Sequence, residues 1–415
     1  MGQTFACKIL GRKAGRRVVP GEIVEVEPDA AMSHDNTAAI AKTFAELGVK
    51  RLAQADRHVI VLDHCAPAAN EKFARNHQEI RRFVRDHSIP HFYDVGRGVC
   101  HQVMVEQGHV APGALIVGSD SHSTTYGALG AFSTGIGRSE MAVIMATGRI
   151  WLRVPESVKI NISGSPPRGL SAKDIMLKII GDLGADGALY QSVCFSGPVV
   201  AGFSISSRMV LANMAVEMGA KNGYVEPDAR TRAFLDNRIR SPLEPVLSDP
   251  DAPWAAVHEF DVSDLEPQIA CPHAVDNVVP VSKAAGVEID QVFFGSCTNA
   301  RLEDFEIVAS VLRGSRVHPN VRMIVAPASS EVYAQALRKG YIQDISDAGA
   351  LIINSGCGPC MGNHQGVPAP GEVVLSTSNR NFRGRFGCAE AEIYLASPLI
   401  AAISAVHGRI TGLGK

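Results

Sequence analysis

The sequence predicts an α/β fold of mainly parallel sheets flanked by helices, and three observations carry this prediction. Short runs rich in β-branched residues alternate with longer stretches of helical character, which is typical of strands joined by helical crossovers. Several of the strand-like runs end directly in polar, reactive residues. The length of 415 residues exceeds what one hydrophobic core usually covers, so we expect about three domains.

Secondary structure can be predicted along the chain from spacing and turn residues. The first clear strand is Ile23–Val26, directly after the Val-Val-Pro-Gly-Glu stretch at 18–22. Helices are predicted over 37–47, 70–86, 139–151, 172–183, 207–218 and 331–339. The stretch 155–169 contains two adjacent prolines, which favours a linker and an edge strand between two domains.

A second break is predicted at 271–281, where Pro272 and Pro280 bracket a polar stretch. We therefore expect α/β domains at 1–155, 156–283 and 284–415. The first would carry the candidate acid–base residues, and the third would carry the candidate metal ligands.

Composition excludes several classes of protein. Forty basic residues nearly balance forty-two acidic ones, so the charge does not favour a nucleic-acid or membrane surface. Aromatic residues make up 6% of the chain, which argues against base-stacking platforms. Because the sequence has no apolar run of about eighteen residues and no signal-peptide pattern, we expect a cytoplasmic protein.

Nine cysteines, an odd number scattered over the chain, do not form a disulfide pattern. Cys297 in Gly-Ser-Cys-Thr-Asn, with Cys357 and Cys360 in Gly-Cys-Gly-Pro-Cys, are candidate cluster ligands. Electron-transfer clusters normally use four thiolates, so three would leave one iron open as a Lewis acid. A structural zinc with His364 as the fourth ligand stays open as an alternative. The other cysteines are expected to be reduced core or near-core thiols: Cys7, Cys65, Cys100, Cys194, Cys271 and Cys388.

Five predicted strands are followed at once by reactive residues. The pairs of strand and motif are 59–62 with 63–64, 115–117 with 118–122, 292–294 with 295–297, 351–353 with 357–360, and 373–375 with 378–380. In open α/β sheets ligands bind outside the carboxyl ends of the strands. We therefore expect all five segments to converge on one cleft.

The first domain supplies imidazoles beside carboxylates, in Asp63-His64, in His101 and in the Asp-Ser-His stretch at 120–122. A carboxylate beside a histidine orients the ring and raises its pKa, which suits a proton donor for a departing hydroxide. For a single Asp-His pair, an ordinary strand-end turn with a satisfied hydrogen bond is the favoured explanation. Three such groups after strands favour the acid–base interpretation.

Two further segments carry candidate binding residues. The stretch 376–385 combines hydroxyl and amide donors with three arginines, a pattern suited to gripping carboxylates. Asn213 and Glu217 lie one helical turn apart and would share a face. The glycine-rich stretch 127–137 lacks the lysine and spacing of a phosphate loop, so we expect it to allow close backbone packing.

These motifs together resemble the aconitase superfamily, and within it the short large subunits of two-subunit dehydratases, shared with homoaconitases. The segments that carry the resemblance are 63–64, 100–102, 118–122, 295–299, 357–360 and 378–385. The likeness extends from residue 2 to residue 398. It implies a three-domain core with the cluster cleft at the strand ends and without the swivelling fourth domain of aconitases.

The resemblance also implies roles for individual residues. A 4Fe–4S cluster with an open fourth iron would be held by Cys297, Cys357 and Cys360. Asp63 and His64 would protonate the leaving hydroxyl. The iron-bound hydroxyl would be hydrogen-bonded by His101, Asp120, His122 and Glu217, with Ser121 and Asn213 beside them. Cluster and substrate carboxylates would be held by Asn379, Arg380 and Arg385, and His34 would contact substrate.

The implied activity is that of a hydro-lyase acting on a hydroxy-dicarboxylic acid. The resemblance favours interconversion of 2-isopropylmalate and 3-isopropylmalate, with homocitrate or homoaconitate, dimethylmalate, maleate and citramalate as alternatives. A small subunit would supply the swivelling domain and the serine that removes the substrate proton. An RNA-binding sensor is a further alternative, which the near-neutral charge disfavours. The departures from the family pattern, at Cys7, Ala38-Ala39, Cys65 and Ala300, affect no cluster ligand or acid–base residue.

Overall fold

The computed structural model describes residues 2–236, 238–239 and 245–413. Its helices are α1 Phe5–Ala14, α2 Thr37–Glu46, α3 Glu71–Asp86, α4 Cys100–Glu106, α5 Arg138–Thr147, α6 Ala172–Leu183, α7 Pro198–Gly202, α8 Ile205–Met214, α9 Ala229–Leu235, α10 Val281–Ala284, α11 Leu302–Leu312, α12 Ser330–Arg338, α13 Tyr341–Asp347 and α14 Pro398–His407. Short 3₁₀ helices span Ala55–Arg57, Ser121–Leu129, Ala215–Met218 and Gly358–Met361. No helix of the described residues is long and apolar enough to cross a membrane.

The amino-terminal part holds a five-stranded, fully parallel sheet. Two further strands, β1 Ile23–Val26 and β7 Ile150–Arg153, do not belong to this sheet and pair with each other as an antiparallel ribbon. The sheet itself consists of β2 Ala30–Ser33, β3 His58–Val61, β4 His91–Tyr93, β5 Leu115–Gly118 and β6 Phe132–Gly135. Its spatial order is β4-β3-β2-β5-β6. The strands β3 and β4 lie on one side of β2, and β5 and β6 lie on the other side, so the order of strand addition changes side between β2 and β5.

Both faces of this sheet are covered, as its uninterrupted apolar strands predict. Along β5, Leu115 and Val117 pack with Phe5 of α1 on one face. Ile116 between them packs with Met104 of α4 on the other face. The side chains of β5 thus alternate between the two faces with the two-residue period of a strand. With both faces occupied by apolar residues, the polar residues that follow β5 lie at the edge of the sheet.

The middle of the chain forms a four-stranded parallel sheet. Its strands are β8 Ser157–Ser163, β9 Ser192–Ser196, β10 Asn222–Val225 and β11 Ala256–Asp261, in the order β10-β9-β8-β11. The predicted edge strand within 155–169 is wrong in this respect, because β8 lies between β9 and β11 and bonds to both. Its inner position buries most of its residues despite the prolines that follow.

The carboxyl-terminal part forms a seven-stranded mixed sheet. The strands are β12 Gln268–Ala270, β13 Val278–Pro280, β14 Gln291–Phe294, β15 Arg322–Val325, β16 Leu351–Ile352, β17 Val373–Ser376 and β18 Glu392–Leu395. The order is β13-β12-β18-β17-β14-β15-β16; β12 is antiparallel to both of its neighbours, β13 and β18, and all other pairs are parallel. Because β12 and β13 join this sheet, it begins before residue 284; the domain boundaries stay a prediction.

Most predicted helices agree with the structure to within about two residues, the usual uncertainty of helix ends. The helix predicted over 139–151 is wrong at its end. Gly148 adopts a left-handed conformation with φ 77° and terminates α5, and Trp151 belongs to β7 instead. The glycine-rich stretch does serve close packing, because a Cβ atom on Gly127 would overlap the carbonyl oxygen of Gly223.

Candidate active site

The site lies where two sheets present their topological switch points to each other. In the first sheet the loops after β2 and β5 diverge, and in the third sheet the loops after β14 and β17 diverge. Such crevices are the usual ligand sites of open α/β sheets. The two edges meet directly, because the amide of Cys357 donates to the carbonyl oxygen of Asp63 at 3.0 Å. The five predicted strand-end segments therefore converge on one cleft.

Asp63 and His64 form a tight pair at the end of β3. The Nδ1–H of His64 donates to Oδ1 of Asp63 at 2.6 Å, and the amide of Cys100 donates to Oδ2 at 2.7 Å. Both side chains are buried, so the carboxylate fixes both the tautomer and the orientation of the ring. His34 stacks on His64 with ring centroids 3.7 Å apart.

The charge of His64 follows from its neighbours. Burial acts to lower its pKa, but the charges of Asp63 and Cys357 and a contact with Asp120 raise that pKa well above 6.5. For the stacked His34, burial and the positive charge of His64 lower the pKa to about 4. At neutral pH one ring of the stack is therefore an imidazolium and the other a neutral imidazole.

Asp120 joins three histidines. Its Oδ1 accepts from Nε2 of His101 at 2.7 Å and lies 3.6 Å from Nδ1 of His122, and its Oδ2 lies 3.4 Å from Nε2 of His64. Burial acts to raise the pKa of Asp120, but hydrogen bonds with His101, His122 and His64 hold the pKa well below 3.8. Asp120 is thus a fixed anion between the three imidazole rings.

The network continues from His122 to the arginine-rich loop. Nε2 of His122 lies 2.7 Å from Oε1 of Glu217, which sits in the 3₁₀ helix after α8. Nε of Arg380 donates to both Glu217 oxygens, at 2.8 and 3.0 Å, and its Nη1 donates to the Ser121 hydroxyl at 3.3 Å. Glu217 therefore fixes the direction of the Arg380 guanidinium.

All three candidate cysteines are buried and surrounded by polar groups. Sγ of Cys297 accepts from the side-chain amides of Asn213 at 3.1 Å and Asn379 at 3.2 Å. Nη2 of Arg385 donates to Sγ of Cys360 at 3.4 Å. N–H donors aimed at sulfur favour thiolates, but burial and the negative charges of Asp120 and Cys360 outweigh them and raise the pKa of the Cys297 thiol to about 11. A cationic metal centre is what would make these thiols ionise.

The spacing of ligand atoms distinguishes a cluster from a single ion. Within the described residues, one set of three or more His, Cys, Asp or Glu side chains has its ligand atoms within 4.8 Å of one another: His34, Asp35, Asp63 and His64. The three sulfurs are spaced more widely than one zinc ion with Zn–S bonds of about 2.3 Å requires. The alternative ligand His364 instead lies 3.2 Å from the carbonyl oxygen of His64. The donor set fits a polynuclear centre better than zinc.

Two buried polar atoms support the same interpretation. Nε of Arg385 and Oδ1 of Asn379 have no hydrogen-bond partner among the described residues. Buried polar groups are normally paired, so such atoms in a cleft mark a place for a ligand. Both residues also donate to a candidate cysteine sulfur, so the same loop could serve a cluster and a substrate.

Sequence reasoning placed Asp35 with His34 at a substrate-contacting position and missed its positioning role, in which it organises the Asp63 loop from the end of β2. Oδ2 of Asp35 accepts from the amides of Asp63 at 2.9 Å and His64 at 2.8 Å, and Oδ1 accepts from the amide of Cys65 at 3.2 Å. Nε2 of His77 on α3 lies 2.8 Å from Oδ1. The only signal in the sequence was its place directly after a strand, beside His34.

We expect Asp35→Ala to lower the free energy of unfolding by about 2–4 kcal/mol, because three buried amides and one imidazole lose their acceptor. Urea denaturation followed by circular dichroism measures this change. Asp56→Ala, which removes an exposed carboxylate just before β3, is the matched control and should change stability by less than about 0.5 kcal/mol. Equal stabilities of the two variants would contradict the positioning role of Asp35.

Arg301 is a second residue that sequence reasoning did not single out as part of the site. Its buried guanidinium donates to the carbonyl oxygens of Cys297 and Thr298, each at 2.6 Å. Its Nε donates to Oε1 of Gln102 at 2.9 Å, which ties the Cys297 loop to α4 and thus to His101. Arg301 therefore links the metal-ligand loop to the acid–base side of the cleft.

Comparisons with known proteins show which family this chain resembles. A profile of the Aconitase family (aconitate hydratase) matches residues 8–286 and 282–408. A protein of Methanothermobacter thermautotrophicus described as a probable 3-isopropylmalate dehydratase large subunit is 52% identical over 417 residues, covering 100% of both chains. A probable methanogen homoaconitase large subunit of the same organism is 48% identical over 410 residues, covering 97% of this chain and 96% of its own.

Among solved structures, the fold is similar to that of Thermococcus kodakaraensis aconitase X in its holo form. The TM-score is 0.53 at 14% sequence identity, with 99% of this chain and 92% of the other covered. This likeness confirms the predicted α/β fold class, and the profile and the full-length relatives confirm the predicted superfamily. On the full-length sequence matches, the chain belongs to the aconitase family.

Proposed function

We propose that this chain is the large subunit of a 4Fe–4S hydro-lyase that interconverts 2-isopropylmalate and 3-isopropylmalate by dehydration and rehydration. The observation that carries the proposal is the cleft itself, in which three buried cysteines face the histidines around Asp120 and the arginine-rich loop. The substrate follows from full-length relatives described as 3-isopropylmalate dehydratase large subunits. Relatives described as homoaconitase large subunits favour the homologous reaction on homoaconitate as second candidate.

The cluster would be held by Cys297, Cys357 and Cys360. When bound, it supplies an iron without a protein ligand that polarises the substrate hydroxyl as a Lewis acid. Asn213 and Asn379 would stabilise the Cys297 thiolate through their amide N–H groups, and Arg385 would do the same for Cys360.

His64 is suited to donate the proton to the departing hydroxide. Its Nδ1–H is engaged by Asp63, so the proton it can deliver is on Nε2, the nitrogen that faces Asp120. Hydroxide is a poor leaving group, and a positioned acid of this kind contributes about 10²–10⁴ in rate. Asp120 would also align His101 and His122 toward the same oxygen.

The substrate carboxylates would meet Arg380, Arg385 and Asn379. Both carboxylate oxygens of Glu217 accept from Nε of Arg380, which fixes the orientation of the guanidinium. A group that binds a substrate carboxylate needs such a fixed orientation. The buried Nδ1 of His34 has no partner among the described residues and could accept or donate one further hydrogen bond to substrate.

A small subunit would complete the enzyme by supplying the base that removes the substrate proton. Its existence is supported by the description of the relatives as large subunits. The cleft would lie between the two chains, so the large subunit alone should bind iron without turning over substrate.

The test is to co-express the chain with the small subunit from the same genome and to load the cluster anaerobically. The complex is assayed with 3-isopropylmalate, homocitrate, citramalate, dimethylmalate and maleate. We expect kcat/KM for 3-isopropylmalate to exceed the others by about 100-fold, the discrimination available to a site shaped for one side chain. A preference for homocitrate would select the second candidate, and inactivity on every substrate would reject the proposal.

A further inference from the structure

Lys173 on α6 is a fully buried lysine directly behind the cleft. Its exposed fraction is 1%, and its Nζ donates to the carbonyl oxygens of Thr377 at 3.2 Å and Ser378 at 2.5 Å. Within the described part of the chain it forms no ion pair with a carboxylate. The neighbouring Asp174 is occupied elsewhere, because its carboxylate accepts from the amide and hydroxyl of Ser171, the N-cap of α6, and from the amide of Gln268.

A buried ammonium without an anion is energetically costly. Removing such an ion from water costs several kcal/mol even after relaxation, and two neutral carbonyls compensate only in part. Burial lowers the pKa of Lys173 to about 7, against the negative charges of Cys297, Glu217 and Cys360, which raise it. Two of these three groups are candidate cluster ligands.

The carbonyls that Lys173 binds belong to the loop that reaches the cysteines. Ser378 is followed by Asn379, whose side-chain amide donates to Sγ of Cys297 at 3.2 Å. Thr377 is also bound from the other side, because the hydroxyl of Thr298 donates to its carbonyl oxygen at 3.0 Å. Lys173 thus lies behind the loop of Thr377 and Ser378, which in turn contacts the loop of Thr298 next to Cys297.

We propose that Lys173 is a positioning residue that provides the buried counter-charge of the iron–sulfur centre. Its ammonium orders the Thr377–Ser378 carbonyls and offsets the negative charge that the thiolates bring when the centre assembles. The inference rests on the proposed function only in assuming that these cysteines hold a cluster. It follows that removing the charge makes the reduced, more negative centre less favourable and weakens iron retention.

The test compares Lys173→Met, which removes the charge and the donors, with Lys173→Gln, which keeps N–H donors without the charge. Lys178→Met, on the exposed face of the same helix, is the matched control. Each chain is reconstituted anaerobically, and the reduction potential, iron content, acid-labile sulfide and iron affinity against a chelator are measured. We expect both Lys173 variants to show a more negative potential and about tenfold weaker iron binding, while Lys178→Met matches the wild type.

Two results would overturn the inference. If Lys173→Gln has the wild-type potential and iron affinity, hydrogen bonding rather than charge matters at this position. If both Lys173 variants have the wild-type values, Lys173 has no role in the iron–sulfur centre. Circular dichroism and thermal unfolding establish folding beforehand, and Lys173→Gln decides if Lys173→Met does not fold. No substrate is used, so failure of the proposed activity leaves this measurement intact.

Discussion

Cys297→Ala should abolish iron–sulfur binding and all turnover while the chain stays folded. Cys297 is the most elaborately supported of the three thiols, because two side-chain amides and the Arg301 guanidinium hold it or its backbone. The variant keeps two of the three ligands and loses the one that follows β14, so the centre is no longer held. The apo variant should lose no more than about 2 kcal/mol of stability, because a sulfhydryl is a small buried group.

The measurement is iron and sulfide per chain after anaerobic reconstitution, followed by an assay with the small subunit. Cys194→Ala is the control, because Cys194 is equally buried but lies in β9, in the core of the four-stranded sheet. The control should retain wild-type iron and activity. A Cys297→Ala variant that still binds iron stoichiometrically and dehydrates substrate would refute the assigned ligand set.

Sequence reasoning worked where local pattern and tertiary role coincide. The helix over 172–183 is predicted with correct ends because Ser171 caps it and Gly184 follows it. The strand-end motifs could be expected to converge because parallel strands place their carboxyl ends on one edge. Where a single glycine decides, as Gly148 does for α5, periodicity alone carried the predicted helix too far.

The groups that support the site could not be predicted in the same way. Asp35, Lys173 and Arg301 act mainly on backbone amides and carbonyls, and which backbone groups they reach depends on how the sheets meet. Lys173 did leave one trace, as a lysine one position after the predicted start of a helix rich in apolar residues. The choice between cluster and zinc was likewise open from spacing in the sequence, and the distances between ligand atoms favour the cluster.

His64→Gln should leave the cluster in place and reduce kcat by about 10²–10⁴, the usual contribution of a general acid. Glutamine can keep a hydrogen bond to Asp63 but has no acidic proton to release. The wild-type enzyme adds a pH signature. Because the pKa of His64 is raised well above 6.5, the ring is protonated at neutral pH, and its donated proton disappears as the pH rises through that raised pKa.

The wild-type kcat should therefore fall on the alkaline side, and this limb should be absent from the residual activity of His64→Gln. Visible absorbance and iron content verify that the variant holds its cluster, and His407→Gln, at an exposed helix end, serves as control. Normal kcat in His64→Gln would transfer the proton-donor role to another member of the Asp120 network. His101 would then be the first candidate, because it makes the shortest contact of the three histidines with the Asp120 carboxylate, at 2.7 Å.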